Sequence, residues 1–401
     1  MREAGISVED EASSEGIKSG GGVNWPLMAL ALATFGIGTT EFGPMGFLPS
    51  IAEDLRISIP KAGQIVSMYA IGVMVTGPIM TLALTRLRMR TALMIAMAIF
   101  TVGNLLSALA PNYTTLLIAR LLTSFNHGAF IGLASIMAAS LVPRERKARA
   151  IATMFMGITI ANIGGVPAAT WIGQYINWRW AFAGTSGLGI LAIAALWLVL
   201  PMGSPGKTPN VKQELRVLAR PSVLIAIATS ATGSAAMFTL YTYIAPILIN
   251  ITGASKYFIT IALVLTGVGF TIGNGVGGWL ADWSIDKATR IILGALIIIM
   301  LAMPIALPSH IFTALALLAW GVASFAIVPP MQTRVMQSAA EAPGLAASIN
   351  AGAFNFGNAM GAVIGGCVIS LNLGYSAVPI AGGLIALSSL MLAMFGREHA
   401  S

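Results

Sequence analysis

Residues 291–301 read IILGALIIIML, an apolar run without a charged residue or a polar face. A helix that is apolar all round is buried on every side, in a large core or in a membrane. Comparable segments recur along the 401-residue chain from Trp25 to Phe395, and 57% of all residues are hydrophobic while 9% are charged. Soluble domains carry about 25% charged residues, so this chain has too little polar surface to cover a water-soluble globule. The sequence predicts a polytopic membrane protein and excludes a soluble enzyme.

Twelve segments are long enough to cross the hydrocarbon core of a bilayer, which takes about 20 helical residues. Period-two alternation, which is typical of a membrane β-barrel, is absent. We therefore predict an all-α membrane protein with twelve transmembrane helices. In chain order, spans 1 to 12 are residues 25–48, 62–84, 91–110, 113–141, 150–173, 180–200, 221–249, 257–280, 290–308, 311–333, 344–371 and 375–395.

The distribution of basic residues predicts the orientation, because Lys and Arg are retained in short cytoplasmic loops. Most of the 22 Lys and Arg residues fall in one set of loops and the C-terminus. The other set of loops holds only Arg56, Lys61, Arg179 and Lys256. We expect both termini in the cytoplasm of a bacterial cell whose inner (cytoplasmic) membrane holds the protein. Since the basic residues are scattered among loops, they do not indicate nucleic-acid binding.

The chain also contains a repeat, in which landmarks recur at offsets of about 200 residues. An accidental recurrence of Gly and Pro in a membrane composition is the alternative explanation, but five landmarks in order favour a duplication. The pairs are Pro44 with Pro246, Gly77 with Gly278, Arg90 with Arg290, Pro143 with Pro343, and Gly164-Gly165 with Gly365-Gly366.

The duplication predicts two six-helix bundles of the same orientation that rock about a substrate site near the membrane midplane. The predicted organisation is a disordered cytoplasmic tail at residues 1–24, an N-terminal bundle at 25–200, a cytoplasmic linker at 201–220, a C-terminal bundle at 221–395 and a cytoplasmic C-terminus at 396–401. Glycines at spacing four allow close helix contacts, and either packing or gating explains them. They are Gly269, Gly273 and Gly277 in span 8, and Gly357, Gly361 and Gly365 in span 11.

Two ionisable residues lie well inside predicted spans, Glu41 in span 1 and Arg120 in span 4. Each costs about 2.5–3.5 kcal/mol or more at a helix centre unless it faces a cavity or a partner. Both lie about seven residues, or roughly 10 Å, below the same membrane surface. A movable contact between them could switch the proton affinity of the carboxylate. A static ion pair that joins spans 1 and 4 is the alternative.

His127 lies seven residues after Arg120, on the same helix face and about two turns deeper. It titrates near neutrality and could relay a proton or bind substrate, whereas a lone His could equally serve only as a hydrogen-bond partner between helices. Because we place His127 about 10 Å deeper than Glu41, the two do not suggest an intramembrane active site. The single cysteine, Cys367, and the absence of a Cys/His cluster give no support for a metal site. We expect no catalytic residues.

Polar and aromatic residues within the spans are candidates for the substrate cavity. Aromatic groups with few formal charges suit a lipophilic or weakly polar ligand, although packing against lipid or other helices also explains each residue taken singly. The candidates are Tyr69, Asn126, Phe238, Tyr241, Trp320 and Asn355, with Tyr243, Gln332, Asn350 and Asn358 as further possibilities.

Three stretches resemble the twelve-helix drug:proton antiporter branch of the major facilitator superfamily. They are residues 39–55 (TTEFGPMGFLPSIAEDL), residues 116–128 (LLIARLLTSFNHG), and residues 157–174 (GITIANIGGVPAATWIGQ) with the following Asn177-Trp178-Arg179. The resemblance covers about residues 25–395. Within this branch, the chain resembles the bacterial inner-membrane efflux permeases that are grouped with arabinose and purine-ribonucleoside exporters.

The resemblance implies that Arg120 takes part in proton coupling and that Gly164, Gly165 and Pro167 form the helix packing associated with exporters. It also implies a cytoplasmic gating motif, which is recognisable as Gly278 to Asp282. The first half departs from that motif, because Gly77 is followed by basic residues such as Arg86 but by no Asp.

We therefore expect a secondary active exporter that moves a small organic molecule, such as a drug, sugar or nucleoside, outward as protons enter. Glu41 is expected to bind the proton, with Arg120 tuning it and His127 nearby. The proton gradient is the energy source, so no cofactor is expected, and the partners are substrate, protons and the bilayer around a monomer. An uptake symporter of the same fold and a transport-inactive receptor or sensor remain alternatives.

Overall fold

The computed structural model describes residues 24–84, 86–143, 146–203, 220–339 and 343–395. Almost all of the predicted tail, most of the predicted linker and the last six residues lie outside the described residues. Helices form the regular secondary structure of the described chain. We refer to residues 25–200 as the first half and to residues 221–395 as the second half.

The described residues of the first half form nine α-helices. Two π-helical turns, Ala161–Gly165 and Gly173–Asn177, join α7 to α8 and α8 to α9. The α-helices are α1 (Trp25–Gly46), α2 (Leu48–Asp54), α3 (Ile59–Leu84), α4 (Met89–Ala108), α5 (Tyr113–Ser124), α6 (His127–Ser140), α7 (Lys147–Ile160), α8 (Val166–Ile172) and α9 (Trp178–Val199).

In the second half, the part of the chain that the structure describes forms eight α-helices and the π-helical turn Leu248–Thr252. They are α10 (Pro221–Tyr241), α11 (Ile244–Ile247), α12 (Lys256–Trp283), α13 (Ile285–Ala306), α14 (His310–Ala326), α15 (Val328–Ser338), α16 (Pro343–Ser370) and α17 (Ala377–Phe395).

The twelve predicted spans are present. Ten helical segments of the described chain are long and apolar enough to cross a membrane. One of them, Arg149–Val199, has 51 residues and contains both span 5 and span 6. The 22-residue helix α1 corresponds to span 1 and carries Glu41. The connection predicted between spans 5 and 6 is present and short. Asn177, at the end of the π-helical turn Gly173–Asn177, has an extended backbone and caps α9 by accepting a hydrogen bond from the Arg179 backbone N–H at 2.9 Å. A new helix therefore begins at Trp178.

Several spans are broken where the sequence interrupts the backbone hydrogen-bond ladder. Span 7, predicted as one helix over 221–249, ends as α10 at Tyr241 and continues in short turns around Pro246. Proline has no backbone N–H and disfavours a continuous helix before it. Span 4 is likewise divided, since α5 ends at Ser124 and α6 begins at His127.

Asn112 begins α5 with a side-chain cap, accepting a hydrogen bond from the Thr115 backbone N–H at 3.0 Å.

Helix packing repeats between the halves with an offset of 200 residues. A Cβ atom added to Gly157 in α7 would lie 2.0 Å from the carbonyl oxygen of Ala31 in α1. A Cβ atom added to Gly357 in α16 would lie 2.1 Å from the carbonyl oxygen of Ala231 in α10. Such close backbone approach is possible only without a side chain. These equivalent contacts support the predicted duplication.

The glycine stripes of the second half pack helices of that half against each other. Gly269, Gly273 and Gly277 of α12 lie against backbone carbonyls of α14. The stripe Gly357, Gly361 and Gly365 of α16 likewise lies against carbonyls of α10. Between the two explanations given for these residues, helix packing accounts for both stripes in this structure.

The two halves meet mainly in the part of the bundle remote from Trp25 and Phe395. The Ser67 hydroxyl in α3 donates to the Ala359 carbonyl in α16 at 3.3 Å. Lys256 Nζ, at the start of α12, donates to the carbonyl of Gln174 at 2.7 Å. Deeper in the bundle, Gly267 of α12 lies against the Asn162 carbonyl, where an added Cβ would be 2.2 Å from the oxygen. These contacts leave the polar residues of α1 and α5 close to the seam between the halves.

Candidate proton and substrate site

The Glu41 carboxylate faces a histidine. Glu41 lies in the last third of α1, and its Oε2 atom is 3.9 Å from Nε2 of His127, the first residue of α6. The two side chains retain 11% and 12% of their surface exposed. The pair therefore links α1 to α6 in a site that is largely buried.

Counting seven helical residues from Arg120 placed His127 about 10 Å deeper than Glu41, which argued against a shared site. The structure nevertheless places Nε2 of His127 3.9 Å from Oε2 of Glu41. The backbone keeps helical dihedrals at Phe125 and Asn126, between α5 and α6, so the reach of the two side chains makes this contact.

Tyr69 of α3 fixes the imidazole. Its hydroxyl oxygen lies 2.9 Å from Nδ1 of His127, and the two rings meet nearly edge to face with centroids 5.9 Å apart. With Nδ1 occupied, Nε2 is the nitrogen that faces Glu41. The predicted candidate Tyr69 therefore belongs to this site through a direct contact.

Arg120 is fully buried but does not pair with Glu41. Its Nη1 donates to the hydroxyl of Thr40 at 3.1 Å, and its Cζ lies 4.2 Å from the centre of the Tyr69 ring. Nε and Nη2 have no hydrogen-bond partner in the described part of the chain. The guanidinium thus reaches the residue next to Glu41, as the matching depth predicted, while the expected ion pair with Glu41 is not formed in this structure. We call Glu41, Tyr69, Arg120 and His127 the polar cluster.

A second layer holds Arg120. The Thr40 hydroxyl donates to Oδ1 of Asn104 in α4 at 2.5 Å, and Nδ2 of Asn104 donates to the Phe100 carbonyl at 2.9 Å. Thr40, Asn104 and Arg120 are all essentially inaccessible to solvent. Sequence reasoning missed Thr40 and Asn104, because uncharged polar residues occur throughout the spans and carried no distinguishing signal.

Aromatic residues of the second half lie beside Glu41. Phe42, the next residue of α1, has its ring 6.1 Å from that of Phe238 and 5.8 Å from that of Tyr241. Tyr241 in turn lies 5.4 Å from Phe270 and 5.7 Å from Trp320. We call these five residues the aromatic cluster. Three of them were predicted, whereas Phe42 and Phe270 were not, since aromatic residues of a membrane span can equally face lipid.

The repeat relates the two clusters. Tyr241 follows Glu41 by 200 residues, and Trp320 follows Arg120 by the same offset. In the first half these two positions carry an acid and a base. In the second half they carry two rings in contact, and the buried Trp320 Nε1 has no hydrogen-bond partner among the described residues. The duplicated site is therefore charged on one side and aromatic on the other.

Two predicted amides are buried without links to either cluster. Both side-chain amide atoms of Asn126, in the break between α5 and α6, have no partner in the described chain. Nδ2 of Asn355 donates to the Ala351 carbonyl at 3.0 Å, and its Oδ1 has no partner there. The structure therefore supplies unused hydrogen-bonding groups at these positions without joining them to Glu41 or Trp320.

The exporter-like segment packs against α1. A Cβ added to Gly165 would lie 2.2 Å from the Thr39 hydroxyl oxygen, and Pro167 is buried in α8. Gly164, by contrast, has open space around its Cα. Of the three predicted residues, Gly165 thus packs against α1, and Pro167 is buried within span 5.

The gating motif is loosely packed. Gly77 lies against Gly128 of α6, whereas an added Cβ at Gly278 would meet no atom within 4 Å. Arg86 and Asp282 are exposed. The described residues therefore show no ion pair for Asp282 at this end of the bundle.

The sequence matches the Major Facilitator Superfamily profile over residues 30–362. The chain belongs to this superfamily. Within it, the chain is 55% identical over 378 residues to the inner membrane transport protein YdhP of Escherichia coli K12, covering 94% of this chain and 97% of that protein. It is 29% identical to the chloramphenicol resistance protein of Streptomyces lividans, covering 92% and 95%.

Among solved structures of the superfamily fold, the chain resembles a bacterial homologue of the human lysosomal transporter Spinster in an inward-facing, occupied conformation. The TM-score is 0.72 at 15% identity, covering 93% of this chain and 96% of that chain. Membership of the superfamily confirms the predicted fold of two six-helix bundles. The protein is a multi-pass membrane transporter and not an enzyme.

Proposed function

We propose that the protein exports a small, weakly polar organic molecule in exchange for protons by alternating access. The observation that carries this proposal is the buried contact of Glu41 with His127 at the seam between the halves. Both groups can bind and release a proton, and Glu41 directly precedes Phe42 of the aromatic cluster. A single site can therefore couple protonation to substrate occupancy.

The polar cluster suits proton exchange. An isolated carboxylate in a membrane helix is costly, so its retention marks a functional group or a paired one. Glu41 contacts His127, which is neutral or cationic according to pH, and Arg120 is hydrogen-bonded to the neighbouring Thr40. The proton affinity of the Glu41 carboxylate therefore depends on which of these two partners it contacts.

The aromatic cluster suits a substrate with a flat or apolar face. Its ring walls carry no formal charge, and the unpartnered Trp320 Nε1 can donate to an acceptor on the substrate. A drug, a nucleoside or a sugar with an exposed apolar face meets these requirements. The resistance protein of Streptomyces lividans, named for chloramphenicol, supports the choice of a neutral drug as the first probe.

Alternating access follows from the contacts between the halves. The bonds from Ser67 to Ala359 and from Lys256 to Gln174 hold together the part of the bundle remote from Trp25 and Phe395. With both termini in the cytoplasm, as the basic residues predict, this arrangement is closed toward the outside. Rocking of the two halves about the seam would break these bonds and open the site outward.

Export is supported by the resemblance of residues 157–174 to the antiporter segment and by the packing of Gly165 against α1. A monomer in the bilayer suffices for this mechanism, because both clusters come from one chain. No cofactor is needed beyond the proton gradient.

The test uses purified protein in proteoliposomes with an imposed pH gradient and chloramphenicol, L-arabinose or inosine as the probe. We expect at least one probe to move against its gradient as protons move the opposite way. Glu41→Gln should abolish this movement, while Glu53→Gln, an exposed acid of α2, should leave it unchanged. Undiminished proton-driven transport by Glu41→Gln would overturn the assignment of the proton site.

The same preparation separates export from uptake. An exporter expels the probe as protons enter, whereas a symporter moves both in one direction. For either direction of the pH gradient, an exporter should move the probe opposite to the protons, and a symporter should move it with them. Movement of probe with the protons would replace the export proposal by uptake.

A further inference from the structure

The position of Arg120 depends on few contacts. A guanidinium has five N–H donors, and only Nη1 is engaged here, with the Thr40 hydroxyl at 3.1 Å. Nε and Nη2 have no partner in the described chain, although the residue is fully buried. Cζ also lies 4.2 Å from the centre of the Tyr69 ring and 5.6 Å from that of the Phe182 ring. Loss of the Thr40 contact would leave all three guanidinium nitrogens without a hydrogen-bond acceptor among the described residues.

The Thr40 hydroxyl is itself oriented. Its single proton is used toward Oδ1 of Asn104 at 2.5 Å, so a lone pair remains for Nη1 of Arg120. The Asn104 amide is fixed in turn, because Nδ2 donates to the Phe100 carbonyl one turn earlier in α4. A chain of three hydrogen bonds thus runs from α4 through α1 to α5 and ends on the guanidinium.

We propose that Thr40 and Asn104 are positioning residues that hold Arg120 outside ion-pair distance of Glu41 and thereby set the pH at which Glu41 takes up its proton. The inference rests on the proposed function of Glu41. Because Thr40 immediately precedes Glu41, the acceptor that engages Arg120 lies beside the carboxylate without being the carboxylate. A guanidinium released from Thr40 has Glu41 as the neighbouring anionic acceptor.

The direction of the effect follows from the charges. A cation within about 4–6 Å of a carboxylate favours the ionised form by about one to three pH units. Release of Arg120 toward Glu41 would therefore make proton uptake require a more acidic pH. The titratable or charged groups that face Glu41 are His127 from α6, Arg120 from α5, Tyr69 from α3 and Tyr241 from α10.

The experiment follows Glu41 directly, without substrate. Full-length protein in lipid nanodiscs is titrated by infrared difference spectroscopy, and the protonated carboxyl band that is missing in Glu41→Gln reports Glu41. Thr40→Val should lower the midpoint pH of this band by about one unit or more, a tenfold change in proton affinity. Asn104→Leu should lower the midpoint pH by less. Thr40→Ser, which keeps the hydroxyl, should leave the midpoint at the value of the unmodified protein.

A matched control separates positioning from packing. The Thr34 hydroxyl, also on α1, donates to the Met154 carbonyl of α7 at 2.6 Å and has no link to Arg120. Thr34→Val should lower thermal stability as Thr40→Val does, yet leave the midpoint in place. The double variant of Thr40→Val and Asn104→Leu should shift the midpoint no further than Thr40→Val alone, because both act through one path.

Two results would overturn the inference, and they differ in what else they overturn. An unchanged midpoint in folded Thr40→Val, or an equal shift in Thr34→Val, removes the positioning role and leaves the proposed function intact. Absence of any Glu41-dependent carboxyl band between neutral and acidic pH removes the positioning role together with Glu41 as the proton-binding residue.

Discussion

The Oε2 atom of Glu41 lies 3.9 Å from Nε2 of His127, while Arg120 is hydrogen-bonded to Thr40. Glu41 therefore faces His127, whose charge changes with pH. The permanently charged Arg120 is bonded to Thr40, the residue that precedes Glu41 in the sequence. A carboxylate locked to arginine would resist protonation, whereas one that faces histidine can exchange a proton more readily. The arrangement suits a group that must be loaded and unloaded in each transport cycle.

Tyr69 should matter through its hydroxyl. Tyr69→Phe removes the bond to Nδ1 of His127 and keeps the ring under Arg120. We expect proton-driven transport to slow about threefold to tenfold, as for the loss of about 1 kcal/mol of hydrogen bonding. Initial rates in proteoliposomes measure this. An unaltered rate would show that the imidazole needs no orientation by Tyr69.

Trp320 should contribute to both packing and binding. Trp320→Phe removes a buried donor that has no partner in the described chain, and it also removes part of a fully buried ring that contacts Tyr241 and Phe270. Thermal stability should therefore fall by about 1–2 kcal/mol, while probe affinity should fall by about 1 kcal/mol or roughly fivefold. Thermal unfolding with and without the probe measures both quantities. Equal affinity in the variant would mean that Nε1 does not contact the substrate.

Two glycines of α12 should respond differently to a methyl group. In Gly267→Ala the new Cβ would lie 2.2 Å from the Asn162 carbonyl oxygen across the seam, whereas Gly275 has open space. We expect Gly267→Ala to lose about 1–3 kcal/mol of stability in this conformation and to transport poorly. Gly275→Ala should be neutral or mildly stabilising. Unfolding temperatures and transport rates of the pair test this, and equal behaviour would contradict it.

A disulfide across the seam should stop the cycle. In a Cys367→Ser background, Ser67→Cys combined with Ala359→Cys links α3 to α16, where the native hydroxyl and carbonyl are 3.3 Å apart. Oxidation should block transport and reduction should restore it.

The control for this cross-link lies within the first half. Thr34→Cys with Met154→Cys joins α1 to α7, where the native hydrogen bond is 2.6 Å long. Since α1 and α7 belong to one bundle, oxidation of this pair should leave transport intact. Transport by the cross-linked α3–α16 protein would exclude separation of the halves at this end.

Asp54 should contribute stability that depends on pH. The Arg179 guanidinium, 2.5 Å away, holds the pKa of the Asp54 carboxyl below its usual value, helped by the Trp178 N–H. A lowered folded pKa gives stability that is complete above the unfolded value of about 3.9 and is lost as pH falls through the folded value. Because the pair is partly exposed, Asp54→Asn should cost at most about 1 kcal/mol at pH near 7.

The measurement for Asp54 is thermal unfolding of both proteins between about pH 7 and about pH 1, below both the unfolded and the lowered folded pKa. The difference between them should shrink as pH falls through the folded pKa and approach zero at the acidic end. A difference that persists there would assign the effect to packing of the side chain.

The fold was predictable because its signals are long and redundant. Apolar segments of membrane length, basic residues on alternate loops and landmarks 200 residues apart all indicate the same two bundles. The Gly157 and Gly357 contacts then repeat in three dimensions what the spacing indicated. The differences lie where a predicted helix is interrupted, as after Tyr241 in span 7 and after Ser124 in span 4.

The site was only partly predictable. Glu41 and Arg120 were identifiable because charge inside a membrane span is rare, and Tyr69 and Tyr241 because polar aromatics are few. The 3.9 Å contact of His127 with Glu41 was not predicted, since counting helical residues gives the separation of two backbone positions and not the reach of two long side chains. Thr40, like the Phe residues of the aromatic cluster, has the ordinary chemistry of a membrane helix, so only three-dimensional contacts distinguish it.

The contact of Gly267 with the Asn162 carbonyl is one of backbone against backbone. Interlocked side chains would have to be withdrawn from their sockets before the halves could move, and each withdrawal would add to the barrier. A contact between backbone atoms of Gly267 and of the π-helical turn Ala161–Gly165 has no side chain to withdraw. We therefore expect the absence of a side chain at Gly267 to keep the barrier to movement of the halves low and the transport cycle fast.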